Sequence, residues 1–207
     1  MSQIKLVHSG GNGVIISAPS SNPAANRTIT LPGNADGEML TTNNPKTGNI
    51  IQVVSATKTD TASQTSLGAG QYWDLSSILK VDITPSSASN KILITGHVNF
   101  QHDGSEVFAL ALFRDGSIYT AANGTVEGNR LAAMSAGFIE RDWDIVTCPI
   151  NFLDTSLGNT NQKSYSVGLT SSTGSSRTYY LNRPYTWTNS NQYFNWQSTI
   201  TAQEVAG

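Results

Sequence analysis

Residues 91–100 read KILITGHVNF, and their side chains alternate between apolar and polar. In an extended chain, successive side chains point to opposite faces of the sheet. One face then carries Ile92, Ile94, Gly96, Val98 and Phe100. The other face carries Leu93, Thr95, His97 and Asn99. This pattern predicts a β-strand that buries its first face in a core.

The same alternation recurs along the rest of the chain, in residues 146–152, 165–169 and 196–202, and short apolar runs occupy 50–54 and 81–83. Helical patterns are short, with one turn predicted over 74–80 and two turns over 129–136. Roughly eight to ten short strands in succession are typical of an antiparallel β-sandwich. The sequence therefore predicts an all-β fold, a jelly-roll-like sandwich. Because proline cannot donate to a ladder, the strand that contains Pro149 is expected to lie at an edge or to be bulged there.

Residues 107–113, VFALALF, depart from the alternation because both faces of this predicted strand are apolar. Such a strand has to be covered on both sides. In a two-sheet sandwich the outer face normally meets water. The second cover is therefore either another subunit or a loop of the same chain, and the sequence leaves both interpretations open.

The N-terminal residues 1–48 have a different character from the rest. Two short strand-like runs, 14–16 and 28–31, are separated by turn residues, and together they predict one hairpin. A lone hairpin is marginally stable in water, so this segment is expected to gain stability from other chains. Residues 43–48, NNPKTG, form a linker. We thus predict an attachment segment over 1–48 and a β-sandwich head over 49–207.

Composition excludes several classes of function. The 207 residues include only 12 lysines and arginines, carry a net charge of −2 and are 13% charged, so no basic surface for nucleic acid is expected. The longest apolar run is far shorter than the roughly 20 residues that span a bilayer. No export signal is visible at the N-terminus, which favours synthesis in a cytoplasm. The single cysteine, Cys148, excludes an intrachain disulfide and is predicted to face the core.

Candidates for catalysis are few. His8, His97 and His102 are the only histidines, no nucleophile-elbow sequence occurs, and structural or surface roles are expected for all three. Asp142 and Asp144 flank Trp143, a spacing that suits paired carboxylates of a glycosidase or a Ca²⁺ site, or simply an acidic loop. No metal-binding motif is present. The sequence predicts neither a cofactor nor a metal nor an enzymatic activity.

Aromatic residues are concentrated late in the chain, where seven lie within residues 179–196 among amides. Aromatic faces beside amide and guanidinium groups suit the binding of a sugar ring. Tyr179, Tyr180, Phe194 and Trp196 are predicted to pack in the core. The loop 182–192 is the predicted binding site for such a ligand, and its candidate residues are Arg183, Tyr185, Trp187 and Asn189.

Short motifs carry a resemblance to a known group of proteins. GVIISAP at 13–19, RTITLPG at 27–33 and DGEMLT at 36–41 resemble the N-terminal segments of tail-fibre proteins from tailed phages of marine bacteria, cyanobacteria especially. The downstream motifs WDL at 73–75, ITPS at 83–86, NKIL at 90–93 and STITAQEV at 198–205 resemble their C-terminal β-domain. The resemblance covers most of the chain and brings no catalytic residue with it.

The resemblance implies a homotrimeric virion protein on the particle exterior. Its N-terminus would dock on other virion proteins, and its C-terminal domain would contact a glycan or protein of the host surface. With 207 residues it would be a short fibre, without a long shaft. The alternatives are a capsid decoration or head-fibre protein without a receptor role, a glycan-cleaving appendage that uses Asp142 and Asp144, and a free carbohydrate-binding module.

Overall fold

The computed structural model describes residues 3–17, 20–21, 45–140, 144–171, 176–186 and 194–207. The chain divides into two compact units, Met1–Met39 and Leu40–Gly207. The first unit contains β1 (Gln3–Val7) and β2 (Gly13–Ser17). The second contains β3 (Ile50–Lys58), β4 (Ala62–Leu67), β5 (Trp73–Asp74), β6 (Lys80–Ile83), β7 (Lys91–His102), β8 (Glu106–Arg114), β9 (Ser117–Ile118), β10 (Ser135–Ile139), β11 (Val146–Asp154), β12 (Lys163–Ser171), β13 (Arg177–Leu181) and β14 (Ser198–Val205).

The first unit is an antiparallel hairpin in which Ile4 lies opposite Ile16. The predicted strand at 14–16 is therefore confirmed as part of β2. Its partner is β1, which the sequence reasoning did not include, and the other predicted run, 28–31, lies outside the described residues. A turn closes the hairpin, with the Gly11 amide donating to the His8 carbonyl at 2.9 Å.

The second unit is built from two antiparallel sheets. In the first sheet the strand order is β10-β8-β12-β5, with β6 also beside β12 and β9 beside β8. In the second sheet the order is β3-β14-β7-β13-β4, with β11 along the other side of β7. The predicted all-β antiparallel sandwich is confirmed. No helix in the part of the chain described above is long and apolar enough to cross a membrane.

The predicted inner face of β7 forms the centre of the core. Ile92, Ile94, Val98 and Phe100 are completely buried. The Phe100 ring meets the Phe108 ring of the opposite sheet edge to face at 5.0 Å, which joins the two layers. Gly96 has a positive φ of 154°, and a Cβ there would lie 2.1 Å from the Thr199 carbonyl oxygen, so β7 and β14 approach closely only because this residue is glycine.

Two further predictions about the head have clear outcomes. Among the described strands β11 pairs with β7 alone, so Pro149 lies at an edge as predicted. The helix predicted over 129–136 is wrong, because β10 begins at Ser135 and the Met134 amide donates to the Leu110 carbonyl at 2.7 Å. Pairing with β8 outweighs the weak helical preference of this short stretch.

The two-sided apolar strand, β8, is covered unevenly. Leu110 and Leu112 point into the core. On the outer face, the Phe113 ring packs edge to face with Tyr72 at 5.8 Å, so this end is covered by the same chain. At the other end Val107 is 43% exposed, beside Phe138 of β10, which is 55% exposed. The own-chain interpretation thus holds for one end of the strand, and an apolar patch remains at the other.

Candidate functional site

The predicted binding loop begins at a fixed point, Asn182. This residue is buried and has a positive φ of 60°, a conformation that asparagine tolerates better than most residues. Its side-chain amide donates to the carbonyls of Lys58 and Asp60 at 2.9 and 3.0 Å. Its side-chain oxygen accepts from the Ser198 hydroxyl at 2.7 Å. The loop therefore leaves β13 from a position held by β3 and β14.

The two described candidates in this loop, Arg183 and Tyr185, are brought together by Tyr180. The Arg183 guanidinium lies 4.3 Å from the centre of the Tyr180 ring, in cation–π geometry. The Tyr185 ring lies 5.6 Å from the same ring, and Tyr185 is 43% exposed. Its backbone amide donates to the Gln101 side chain. The other two candidates, Trp187 and Asn189, lie outside the described residues.

The aromatic residues assigned to the core have different outcomes. Tyr179 is completely buried, as predicted. Tyr180 and Trp196 are half-buried, and burial raises the pKa of the Tyr180 hydroxyl. Phe194 is 65% exposed, so its core assignment is wrong. It lies in an irregular segment before β14, where strand alternation does not apply, and its ring lies 6.4 Å from that of Trp196 at an interplanar angle of 73°.

The histidines are dispersed over the molecule. His8 lies in the hairpin turn and accepts from the Gly10 amide at 3.1 Å. His97 lies on the outer face of β7 as predicted, and its Nε2 is 3.2 Å from the Gln197 carbonyl oxygen. His102 closes β7 and is 1% exposed, with neither ring nitrogen hydrogen-bonded. Burial, together with the charge of Arg177, lowers the pKa of His102 to about 4.

The acidic candidates do not form a described pair, because Asp142 lies outside the described residues while Asp144 is half-buried before β11. Cys148 is buried as predicted, and burial raises the pKa of its thiol. Within the described ranges, no three histidine, cysteine or acidic side chains converge as metal ligands would.

Sequence reasoning missed a buried polar network around Asp154, which is completely buried at the end of β11. Its carboxylate accepts from Arg114 at 2.9 Å, from Tyr119 at 2.9 Å and from Tyr165 at 2.6 Å. The alternation of β11 places residue 154 on the inner face, so the sequence did carry a signal for an inward carboxylate. Because Arg114 of β8 and Tyr165 of β12 belong to the first sheet and Asp154 of β11 to the second, the network joins the two sheets.

No family model and no curated protein matches this sequence. Among solved structures, the chain is similar to particles derived from infectious bursal virus, at 13% identity and a TM-score of 0.40 over 87% of this chain and 40% of that one. It is similar to the Gx strain of infectious bursal disease virus at 14% identity and a TM-score of 0.39, over 87% and 41% of the two chains. For the VP2 subviral particle of that virus the identity is 14% and the TM-score 0.35, over 95% and 48%. The chain thus spans less than half the length of these proteins, and likeness at this level carries no functional argument.

Proposed function

We propose that this chain is a non-enzymatic structural protein of a phage particle, a short trimeric fibre on the exterior. Its N-terminal segment docks on other virion proteins, and its β-sandwich head contacts the host surface. The resemblance of its short motifs to phage tail fibres supports this role, as does the division into a small N-terminal unit and a larger β-sandwich. Attachment and recognition would then reside in different parts of the chain.

The observation that carries the proposal is the exposed apolar face of the β1–β2 hairpin. Ile4 and Leu6 alternate along β1, and Ile16 lies opposite Ile4, so the three side chains share one face. They are 63%, 61% and 49% exposed. A two-stranded ribbon has no second layer of its own to cover such a face, and isolated hairpins are marginally stable. Contact between the hairpins of three copies, or with the particle, would bury it.

The apolar patch at the end of β8 is the second surface that supports a trimer. It combines Val107, Phe138 and Leu131, which are 43%, 55% and 37% exposed. A groove of about 680 Å³ beside it is lined by further small and apolar residues, including Ala109 and Ala136. Leu110 is not part of this surface, because it is completely buried, and Leu110→Asp would therefore unfold the head rather than probe a subunit contact.

A matched pair of double variants tests the hairpin. The change Ile4→Thr with Ile16→Thr keeps β-branched side chains but makes the exposed face polar. The control, Val7→Thr with Ile15→Thr, makes the same chemical change on the opposite face. By sedimentation at micromolar concentration, the natural chain and the control should have about three times the 22.1 kDa chain mass, and the first variant should dissociate. A monomeric natural chain would contradict the proposed trimer.

Attachment is tested by deleting the N-terminal segment. Residues 45–49 are tied to the end of β14, with the Gly48 amide donating to the Ala206 carbonyl at 2.9 Å, so the deletion should end at residue 44. We expect the shortened chain to be soluble and absent from purified particles. Incorporation at the natural level would place the attachment surface in the head instead.

Host contact separates the fibre from the capsid-decoration alternative. Particles that carry Tyr185→Ala should adsorb poorly to host cells while the trimer and the melting temperature stay unchanged, since Tyr185 is 43% exposed. Unchanged adsorption, together with particle images that place the protein on the capsid, would favour a decoration role. A large fall in melting temperature would assign the ring to the core.

A further inference from the structure

A groove on the outer face of the second sheet contains the features of a binding site, and neither Arg183 nor Tyr185, the two described candidates, lines it. Its floor is formed by His97 and Asn99 of β7 and Thr147 of β11, which lies directly opposite Asn99. Its wall is the segment 195–197, which contains Trp196. The groove has a volume of about 500 Å³, within the range of about 300–1,000 Å³ that is usual for small-molecule sites.

Internal hydrogen bonds hold the floor in place. The Asn99 side-chain amide donates to the Gln197 carbonyl at 2.5 Å, and the Thr147 hydroxyl donates to the Asn99 side-chain oxygen at 2.5 Å. Behind them the Asn99 backbone amide donates to the Ser198 hydroxyl at 2.9 Å. These bonds pre-organise the polar groups, which lowers the entropy cost of binding a ligand.

The three side chains of the floor, His97, Asn99 and Thr147, keep donor or acceptor positions for further hydrogen bonds. Asn99 has a second amide hydrogen, and the Thr147 oxygen keeps its acceptor sites after donating its proton. The Gln197 carbonyl can only accept, so His97 makes this contact with a proton on Nε2, and in that tautomer Nδ1 is an acceptor. The floor thus offers donors and acceptors side by side, an arrangement that matches the hydroxyl groups of a sugar.

Two aromatic rings stand beside these groups. Trp196 is half-buried in the wall, and Phe194, two residues before it, is 65% exposed. The rings make a corner, with centroids 6.4 Å apart and planes at 73°. A pyranose ring has an apolar C–H face that packs on an aromatic ring while its hydroxyl groups reach polar neighbours. Through its ring contact with Trp196, Phe194 extends the aromatic surface on this side of the groove.

The residue types in the described lining of the groove indicate which ligands it can bind. Among the described residues that line it, none is an aspartate, glutamate, lysine or arginine. A phosphate, a sulfated sugar or an acidic sugar would therefore find no lysine or arginine in this described lining to balance its charge. The few aliphatic contacts also make it a poor groove for an apolar peptide anchor. The lining therefore favours a neutral carbohydrate.

We infer that the groove between His97, Asn99, Thr147 and Trp196 is a binding site for a neutral carbohydrate of hexose units. This inference rests on the proposed host-contact function for its biological meaning, and it names the class of receptor. It moves the centre of recognition from the loop around Tyr185 to the groove next to it. The two are neighbours, because the Trp196 amide donates to the Asn182 carbonyl at 3.1 Å.

The test is saturation-transfer NMR on the purified full-length chain. The probes are neutral oligosaccharides of glucose, galactose and mannose, with sialylated and sulfated oligosaccharides as acidic comparisons. Signal transfer should occur to neutral probes alone. Phe194→Ala should weaken binding about tenfold, because a lost aromatic contact of about 1.4 kcal/mol corresponds to that factor. Thr147→Val, which keeps the shape and removes the hydroxyl, should also weaken it.

The control is Val126→Ala, which removes an apolar side chain that is 59% exposed and belongs neither to the groove nor to the apolar patch at the end of β8. It should bind as the natural chain does. Trp196→Phe gives a second variant that keeps an aromatic ring, and its melting curve shows whether the head is intact. Binding unchanged in Phe194→Ala and Thr147→Val would overturn the site, and so would transfer to acidic probes alone or to no probe.

The outcome is separable from that of the proposed function. A natural chain that forms trimers and supports adsorption but binds no neutral sugar would refute the groove and leave the fibre role in place. A chain that binds a neutral sugar through Phe194 but is monomeric and absent from particles would support the groove and refute the fibre role.

Discussion

Asp154 and His102 are both buried in the β-sandwich, but their hydrogen-bonding surroundings are opposite. Asp154 is completely buried, and its two carboxylate oxygens accept four hydrogen bonds, from Arg114, Tyr119, Tyr165 and the backbone amide of Ser156. His102 is 1% exposed and has no hydrogen bond at either ring nitrogen. The first cluster keeps a charge by surrounding it with donors and a cation, whereas the second buries a group that can be neutral.

The difference has a physical origin in the neighbours of each group. Beside Asp154, burial together with the carboxylate raises the pKa of Tyr165, so the phenol stays protonated and donates. The main charged neighbour of His102 is Arg177, which forms an ion pair with the largely buried Glu106. The positive charge of Arg177 lowers the pKa of His102, and the negative charge of Asp103 offsets only part of this effect. A cation next to a buried imidazole disfavours its protonation. The Asp154 cluster therefore holds an ion pair in the core, whereas the surroundings of His102 favour a neutral ring.

Removing the Asp154 charge should have the largest effect. Asp154→Asn takes the counter-ion from Arg114, whose side chain is 16% exposed, and turns one acceptor into a donor that faces other donors. We expect a loss of about 4 kcal/mol, the usual cost of breaking a buried pair from one side. Urea unfolding followed by fluorescence measures it.

Asp115→Asn is the matched control, since Asp115 also pairs with Arg114 but its side chain is 48% exposed. Asparagine tolerates the positive φ of 54° at this position. An exposed pair contributes less than about 1 kcal/mol, so this variant should be nearly as stable as the natural chain. Equal losses in the two variants would show that the Asp154 network does not depend on its burial.

Acid should destabilise the head through His102. The pKa of this ring is lowered from 6.5 to about 4 in the folded chain, so between these values the unfolded chain binds the proton and the folded chain does not. The stabilisation is therefore complete above pH 6.5, falls as the pH falls, and is lost below pH 4. A shift of this size corresponds to about 3 kcal/mol.

Unfolding free energies between pH 4 and 7 measure this dependence. His102→Leu should remove most of the slope, whereas His97→Gln, on the outer face of β7, should keep it. Carboxylates that titrate near pH 4 contribute equally to all three chains, so the difference between the curves isolates His102. An unchanged slope in His102→Leu would contradict the assignment.

Glu204 lies between the two extremes and sharpens the comparison. It is 1% exposed, and one of its oxygens accepts from the Ser86 amide, the Ser86 hydroxyl and the Asn90 side chain, with no cation nearby among these partners. Glu204→Gln keeps an acceptor at that position and loses only the charge. We expect a loss of about 1 kcal/mol, measured by urea unfolding. A loss as large as that of Asp154→Asn would mean that the charge itself, and not the cation, decides the cost.

Strand alternation predicted much of the fold and little of this chemistry. The faces of β7 and β11 followed directly from residues 91–100 and 146–152, because a half-buried strand has a period of two. The same parity places Asp154 and His102 on the inner faces of β11 and β7. Their partners come from other strands, and alternation carries no information about which strands meet across a core.

The candidate site was predicted in part for the same reason. Arg183 and Tyr185 are close in sequence, so a local pattern could pair them, and Tyr180 then joins them in space. The groove combines Asn99, Thr147 and Trp196, which come from separate segments and share a surface only through sheet register. Phe194 was assigned to the core because it is aromatic, and its exposure depends on an irregular segment that has no periodicity.

The smallest predicted effect concerns a charge that stays at the surface. Among the described residues, Arg114 lies over the Tyr119 ring at 4.8 Å and Arg183 over the Tyr180 ring at 4.3 Å, and Arg114 also donates to the buried Asp154 carboxylate. Arg183→Gln keeps a planar polar group and removes the charge. The expected loss is about 0.5 kcal/mol, as for a cation–π contact open to solvent, and thermal unfolding at two salt concentrations measures it. Because Arg183 is half-buried and belongs to the loop that we propose for host contact, the variant should change stability much less than adsorption to host cells. A loss comparable to that of Asp154→Asn would show that Arg183 is a structural residue, and the Tyr180–Arg183–Tyr185 surface would then be part of the scaffold that supports the groove.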